Sequence, residues 1–436
     1  MTRCFLPLLL LLLPAPGPAQ EPPPLTRKVP TPLALWQEFR RTLPPLELER
    51  TPDRIVPSVV DSRVRLRRID LSFVSQLVFG RKLVHKAVIF LPTDAELQAD
   101  KGRRGKVVIV GSIAGAMQQS FLCNYGHPIA TFNRVPVMIL PNPGSTPDRP
   151  DREWSIRNLW AKGVPRVPTN KYYFRLAQVY LRGMEVFAKV LGIAPEQLRA
   201  VIGGHSKRAP SAYCAAAIRP AQVAGVVFMG MEGLWRWRPD SPWLPTHPLY
   251  VRRFVTCPTI YLGATNEDGY SMFNVTRNQA MLKKRWTVSM VPNYRHAAES
   301  EQQFLVWRMW VAHIFDGRPL ARIGKVGHEK TPKGTRFKAE IACPNRVIQV
   351  RAWHTYCDDV PLWRDLVWYP VVMHRTKEGL YEGFHRGLTP DAWFVEVHDA
   401  AGGHRGYVTS CPQNITGKPV KERRSRGSRS RQWREK

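Results

Sequence analysis

VIGGHSKRAPSAYCAAA, residues 201–217, is a β-branched run that meets two glycines, then Ser206, then a basic pair and an alanine-rich segment. A strand that turns sharply at a serine and opens into a helix exposes the hydroxyl above the C-terminal edge of a sheet. The pentapeptide Gly204-His205-Ser206-Lys207-Arg208 has the first glycine of G-x-S-x-G and lacks the second. A plain helix N-cap is the competing reading of Ser206. In the nucleophile reading, the backbone N–H of Lys207 faces a developing oxyanion, helped by the positive end of the following helix. The second donor comes from the loop after KVVIVGS, at Ser112 and Ile113. The glycines of that loop suit close backbone approach and equally suit an ordinary turn.

A serine at such an elbow needs an acid and then a histidine later in the chain, each just past a strand. PTIYLGATNEDGY places Glu267 and Asp268 past one strand, and RWTVSMVPNYRH places His296 past the next. The histidine takes the serine proton, while the carboxylate holds its tautomer and stabilises the imidazolium. Taken singly, the acids read as turn residues and His296 as a loop residue; their order at three successive strand ends is the stronger signal. His205 lies beside Ser206 but points away from it along the backbone and reads as a structural residue or as one that supports the site residues from behind, and Lys207 is disfavoured as a base on the same ground. Trp235, Trp237 and Trp243 in MEGLWRWRPDSPW follow a strand on the same side, as an aromatic lid or as a loop core.

Outward from this junction, apolar runs alternate with helical periodicity. RVRLRRIDLSFVSQLVF and LVHKAVIFLP read as neighbouring strands, and KVVIVGS and VPVMILP as buried parallel ones. In YYFRLAQVYLRGMEVFAKVLG, residues Phe174, Ala177, Leu181, Met184, Ala188 and Leu191 share one helical face. VAGVVFMG, PTIYLGA and RWTVSMVP read as strands, NVTRNQAMLKK and ESEQQFLVWRMWVAHIFDG as helices. The pattern predicts an α/β domain with a mainly parallel sheet over residues 63–320. FKAEIACP, RVIQVRAWHT, LVWYPVVM, WFVEVHDA and GYVTSCP predict a small all-β, sandwich-like domain over 333–412. A proline-rich segment, 20–62, precedes the first domain and carries one amphipathic piece around Trp36.

These residues resemble the PhoPQ-activated pathogenicity-related proteins, a family with an α/β-hydrolase fold that includes an amoebal autocrine proliferation repressor. FVSQLVFGRKLVHKAVIFLP is similar to that family's S-Q-W, W-x-H and apolar strand; Ser75, Gln76 and His85 match, and both tryptophans are replaced. Gly204-His205-Ser206-Lys207-Arg208 is like its G-A-S-K-R, which also lacks the final glycine. Glu267-Asp268 stands where the family has D-E, in reversed order, and VPNYRH is like its V-P-N-x-x-H. The resemblance spans about residues 65–320 and implies a serine-hydrolase fold more firmly than any substrate. Alignment with the first family acid favours Glu267, with Asp268 as the alternative.

The chain has 436 residues and 44% hydrophobic content, enough for two or three domains with cores. MTRCFLPLLLLLLPAPGPAQ reads as a secretory signal peptide, residues 1–19. No later run of apolar residues is long enough to span a bilayer, so the expectation is a secreted protein without a transmembrane segment. Removal of Cys4 leaves six cysteines, which an oxidising compartment permits to pair in 15 ways. Cys343 and Cys411 flank the β-region and are the expected pair, with Cys357 as the competing partner. Asn274 and Asn414 head glycosylation sequons. The cysteine and histidine spacings fit no zinc motif, so no metal or organic cofactor is expected. Net charge is +31, and the tail 417–436 carries nine Lys/Arg against Glu422 and Glu435. The tail is expected to be disordered. Its charge suits acidic glycans or a cell surface, or simply a solvated end; no nucleic-acid motif accompanies it. The chain therefore reads as a secreted serine hydrolase of ester or peptide bonds. The rival class is a non-catalytic secreted signalling or binding protein on a hydrolase scaffold.

Overall fold

The computed structural model describes residues 28–78, 80–93, 101–111, 119–140, 167–231, 240–267, 275–276, 286–357 and 363–414. The expected signal peptide, Ser112, Ile113, Asp268, Asn274, Trp235, Trp237, most of the stretch NVTRNQAMLKK expected to be helical, and the basic tail lie outside them.

The strands of the first domain are β1 (Glu49–Arg50), β2 (Arg54–Pro57), β3 (Arg65–Val78), β4 (Arg81–Pro92), β5 (Lys106–Gly111), β6 (Val137–Leu140), β7 (Arg199–His205), β8 (Val223–Met229), β9 (Thr259–Asn266) and β10 (Thr287–Arg295). They form one sheet in the order β1-β3-β4-β6-β5-β7-β8-β9-β10, with β2 on β3. From β6 to β10 every pairing is parallel. The long β3–β4 hairpin joins antiparallel to β6. This is the mainly parallel α/β sheet that the strand–helix alternation predicts. The strand order reverses between β5 and β7, and in open α/β sheets ligands bind at the carboxyl ends beside such a switch point. Ser206 follows β7 directly.

The longer helices are α1 (Pro32–Phe39), α2 (His127–Phe132), α3 (Tyr172–Leu191), α4 (Arg208–Ile218) and α5 (Glu301–Asp316). Side chains alternate across a strand, and each buried strand therefore feeds two cores. Ile109, Met138, Ile202 and Phe228 pack with α1, α3 and α4 on one face. Val110, Ile139, Val201 and Val227 pack with α2 and α5 on the other. The face of α3 from Phe174 through Ala188 is buried as its periodicity predicts. Helix α5 opens on a reciprocal cap: Ser300 Oγ accepts the Gln303 N–H at 3.2 Å, and Gln303 Oε1 accepts the Ser300 N–H at 3.1 Å.

The strands that follow are β11 (Arg322–Thr331), β12 (Gly334–Ala342), β13 (Arg346–Thr355), β14 (Tyr369–Val372), β15 (His374–Lys377), β16 (Leu380–Arg386), β17 (Ala392–Ala401), β18 (His404–Thr409) and β19 (Gln413–Asn414). They make two sheets, β11-β12-β16-β15 and β14-β13-β17-β18, with β19 on β17. Phe337 of β12 stacks near Trp393 of β17, ring centroids 4.8 Å apart, and joins the two sheets. The β-region starts at Arg322, before the expected 333. RIGKVGHEKT is mostly polar and half exposed, so it lacks the alternation that marks a strand, and pairing with β12 holds it extended. Phe337, Val350, Trp393 and Val408 share one core with Met309 and Trp310 of α5. The buried Arg318–Asp399 ion pair, 2.7 Å, crosses the same junction.

Among the described residues no disulfide is formed. Cys343 Sγ lies 3.6 Å from the Asn345 carbonyl oxygen and from Asp399 Oδ2. The Cys357 N–H donates to Asp391 Oδ2 at 2.7 Å. The Cys411 carbonyl accepts from Gln413 Nε2 at 3.4 Å. No helix among the described residues is long and apolar enough to cross a membrane.

Candidate active site

Ser206 has φ = 60°, a left-handed conformation that costs an L-residue about 1–2 kcal/mol. Two backbone bonds hold it there. The Ser206 N–H donates to the Met229 carbonyl at 2.8 Å, and the Ser206 carbonyl accepts from the Ala209 N–H at 2.9 Å. A nucleophile elbow requires such a strained turn, held by its surroundings, and Glu47, Arg134 and Asn293 share the same backbone region. The glycines before it leave room for the crossing of β7 and α4. A Cβ on Gly204 would stand 2.8 Å from Tyr180 Oη and 2.9 Å from both Arg208 Cβ and the Gly111 carbonyl. Tyr180 Oη in turn donates to the Gly203 carbonyl at 3.0 Å. Gly204 thus makes the close approach by itself, and Arg208 fits where the usual motif has a second glycine. Its guanidinium folds back under the elbow and donates to the His205 carbonyl at 3.2 Å. Burial lowers its pKa to about 10, still well above neutral pH.

Glu267 is the first residue past β9, and His296 the first past β10. His296 Nδ1 is hydrogen-bonded to Glu267 Oε2. The carboxylate is buried, while His296 keeps about a quarter of its side chain exposed. Nδ1 is thereby committed to the acid, and Nε2 is the atom left for a substrate-side proton. Ser206 is half buried, and its Oγ makes no hydrogen bond among the described residues. Serine–histidine bonds often tighten only when substrate is bound. Lys207 is the residue preceding α4, and its carbonyl accepts from Ser211 Oγ at 2.8 Å.

The rest of the sequence-derived set is distributed as follows. Trp243 lies under the Lys171 ammonium, 4.1 Å from the ring centroid, and burial lowers the Lys171 pKa to about 8. Asn414 lies in β19, opposite Ala392 of β17. Ser75 and His85 bond each other, Oγ to Nε2 at 2.8 Å, inside the β3–β4 hairpin. Gln76 donates to the Arg175 carbonyl at 2.9 Å. These three matched residues lie in β3 and β4, far from the elbow in sequence.

Two features were missed. The first is a clamp from the C-terminal domain. Asn293, at φ = 53°, donates through Nδ2 to the Trp368 carbonyl and accepts the Trp368 N–H at Oδ1, each 2.8 Å. Asn266 Nδ2 donates to the Arg364 carbonyl at 2.9 Å. Thr265 Oγ1 accepts the Asn293 N–H at 2.8 Å and links the β9 and β10 ends. The loops that carry Glu267 and His296 are therefore held from residues 364–368. The only trace in sequence is an asparagine after proline in VPNYRH, which suits a left-handed turn.

The second is His205. Its ring is 1% exposed and packs against His296, centroids 4.2 Å apart and tilted by 48°. Burial, then the neighbouring His296 and Arg208, hold its pKa well below the usual histidine value. Gly230, the residue after β8, has φ = 59°, and a Cβ there would collide with His205 Nε2. The bare glycine opens a path over β8, along which His205 of β7 reaches the loops after β9 and β10.

No protein-family model and no curated protein matches the sequence. Among solved structures the chain is similar to an acetyl xylan esterase from Paenibacillus sp. R4, with TM-score 0.42 and 10% identity over 63% of this chain and 92% of that one. It is similar to a CE15 glucuronoyl esterase from Teredinibacter turnerae T7901, with TM-score 0.41 and 12% identity over 62% and 79%. It is also similar to dipeptidyl peptidase 4 of Porphyromonas gingivalis, with TM-score 0.39 and 11% identity over 61% of this chain and 35% of that one.

Proposed function

We propose that the chain is a secreted serine hydrolase of ester or peptide bonds, with Ser206 as nucleophile, His296 as base and Glu267 as acid. The observations that carry this reading are the His296 Nδ1–Glu267 hydrogen bond and a serine held at φ = 60° whose chain neighbour His205 packs its ring on His296. Ser206 Oγ attacks the carbonyl carbon, and its proton passes to His296 Nε2. Glu267 stabilises the imidazolium through Nδ1. The tetrahedral oxyanion takes the Lys207 backbone N–H and a second N–H from the loop at Ser112 and Ile113. The imidazolium then protonates the leaving alcohol or amine. A water, deprotonated by the same Nε2, releases the acyl group and restores Ser206. The acidic-glycan role of the basic tail belongs to the same proposal as a surface anchor, independent of the chemistry.

A fluorophosphonate probe tests the reading. Full-length protein is expected to be labelled, and Ser206→Ala to be spared. Equal absence of label in both proteins, each shown to be folded, would leave the non-catalytic binding scaffold in its place.

A further inference from the structure

The hydrolase reading uses Glu267 Oε2 and His296, but not the polar atoms that sit beside them. Glu267 Oε1 and both ring nitrogens of His205 are buried with no hydrogen-bond partner among the described residues. An imidazole or carboxylate buried without a partner is costly, and such groups ordinarily pair or bind a metal. Here three such atoms lie together. One donor atom each from His205, Glu267 and His296 falls within 4.8 Å of the others. His205 and Glu267 are 1% and 2% exposed, so two of the three side chains are fixed by packing. Both also border the space over Gly230.

We propose that His205, Glu267 and His296 form a binding site for a divalent cation of the zinc type, and that its occupation is exclusive with hydrolysis. Two imidazoles and one carboxylate suit zinc, whose bonds to nitrogen and oxygen are about 2.0–2.2 Å. At tetrahedral angles those bonds put donor atoms about 3.4 Å apart. The present spread closes to that by a small inward movement of His296, the partly exposed member. Solvent supplies the fourth ligand.

Zinc on Nδ1 takes the lone pair of a neutral imidazole. The proton that Nδ1 shares with Glu267 then resides on Nε2, with no net proton released. An Nε2 that carries a proton cannot accept one from Ser206. The metal thus blocks the base without touching the nucleophile. The inhibitory half of the proposal rests on the hydrolase reading; the binding half does not.

The test uses the full-length, untagged chain, the Ser206→Ala variant and two ligand variants, His205→Ala and Glu267→Gln. Zinc binding is read by equilibrium dialysis, and Co2+ is used as a visible probe of a four- or five-coordinate site. The expected result is one zinc and a cobalt d–d spectrum in the wild type and in Ser206→Ala. Affinity is expected to fall roughly tenfold or more in each ligand variant. Zinc is expected to protect the wild type from the fluorophosphonate, EDTA to restore labelling, and His205→Ala to be labelled with zinc present. If His205→Ala is unfolded by circular dichroism, His205→Gln replaces it. Equal zinc affinity with and without His205, or no cobalt spectrum in the wild type, overturns the site. Zinc bound by a chain that takes no label retains the site and removes the hydrolase reading instead.

Discussion

Replacing Asn293 tests whether the C-terminal domain holds the candidate active site in place. The side chain makes two 2.8 Å bonds to the backbone of Trp368, a residue 1% exposed. Losing one typical bond costs about 0.5–1.5 kcal/mol net, and a buried group left unsatisfied costs about 1–3 kcal/mol. Asn293→Ala removes both bonds, about 1–3 kcal/mol in all, since Asn293 is itself exposed and water can reach the groups it leaves. It also places alanine at φ = 53°, adding roughly 1 kcal/mol. Asn293→Gly removes the same bonds without that strain, but adds about 0.5–1 kcal/mol through the entropy of the unfolded chain. Both variants are therefore expected to lose about 2–4 kcal/mol. Urea unfolding followed by tryptophan fluorescence reads this as a lower midpoint. His296 lies three residues on, so kcat/KM on an activated ester is expected to fall as well, and fluorophosphonate labelling to slow. A loss below about 0.5 kcal/mol in both variants, the range of ordinary surface changes, would refute the clamp.

Glu267→Gln keeps the shape of the acid but removes its charge and reverses the tautomer it enforces on His296. The expected loss in kcat is about ten-thousandfold, measured by ester turnover; a loss under tenfold would shift the acid to another residue. Gly204→Ala puts a methyl group against Tyr180, Arg208 and the Gly111 carbonyl, an overpacking cost of about 1–3 kcal/mol. Its thermal midpoint and probe labelling should both fall, and an unchanged labelling rate would contradict the tight elbow. His85 has its pKa lowered to about 3 by burial, against a reference value of about 6.5 in the unfolded chain. Below pH 6.5 the unfolded chain takes up a proton that the folded chain refuses until about pH 3. The contribution of neutral His85 is thus complete above 6.5 and lost as pH falls, at up to about 1.4 kcal/mol per pH unit. Urea midpoints at pH 7 and pH 5 are expected to fall more for the wild type than for His85→Gln; parallel falls would refute this assignment.

The sequence by itself determined the fold class. Buried parallel strands read as unbroken apolar runs because both of their faces are covered, and α3 reads as a helix because its apolar residues recur at helical spacing. The positions of Ser206, Glu267 and His296 at strand ends were legible for the same reason: each directly follows a run whose end is marked by small or polar residues. The start of β11 was not legible, because a half-exposed strand that is extended only by its neighbour has no apolar period of its own. Nor was the environment of His205. Alternation along β7 turns its side chain away from Ser206, and that local rule says nothing about what arrives from the other side. Only the tertiary structure brings His296 and Glu267 over β8, and it does so because Gly230 has no side chain to block the way. The clamp of Asn293 and Asn266 on residues 364–368 is of the same kind. Its partners are separated by about a hundred residues or fewer in sequence, and they meet because Leu366 and Trp368 pack into the core that also holds Met290 of β10 and Phe394 of β17.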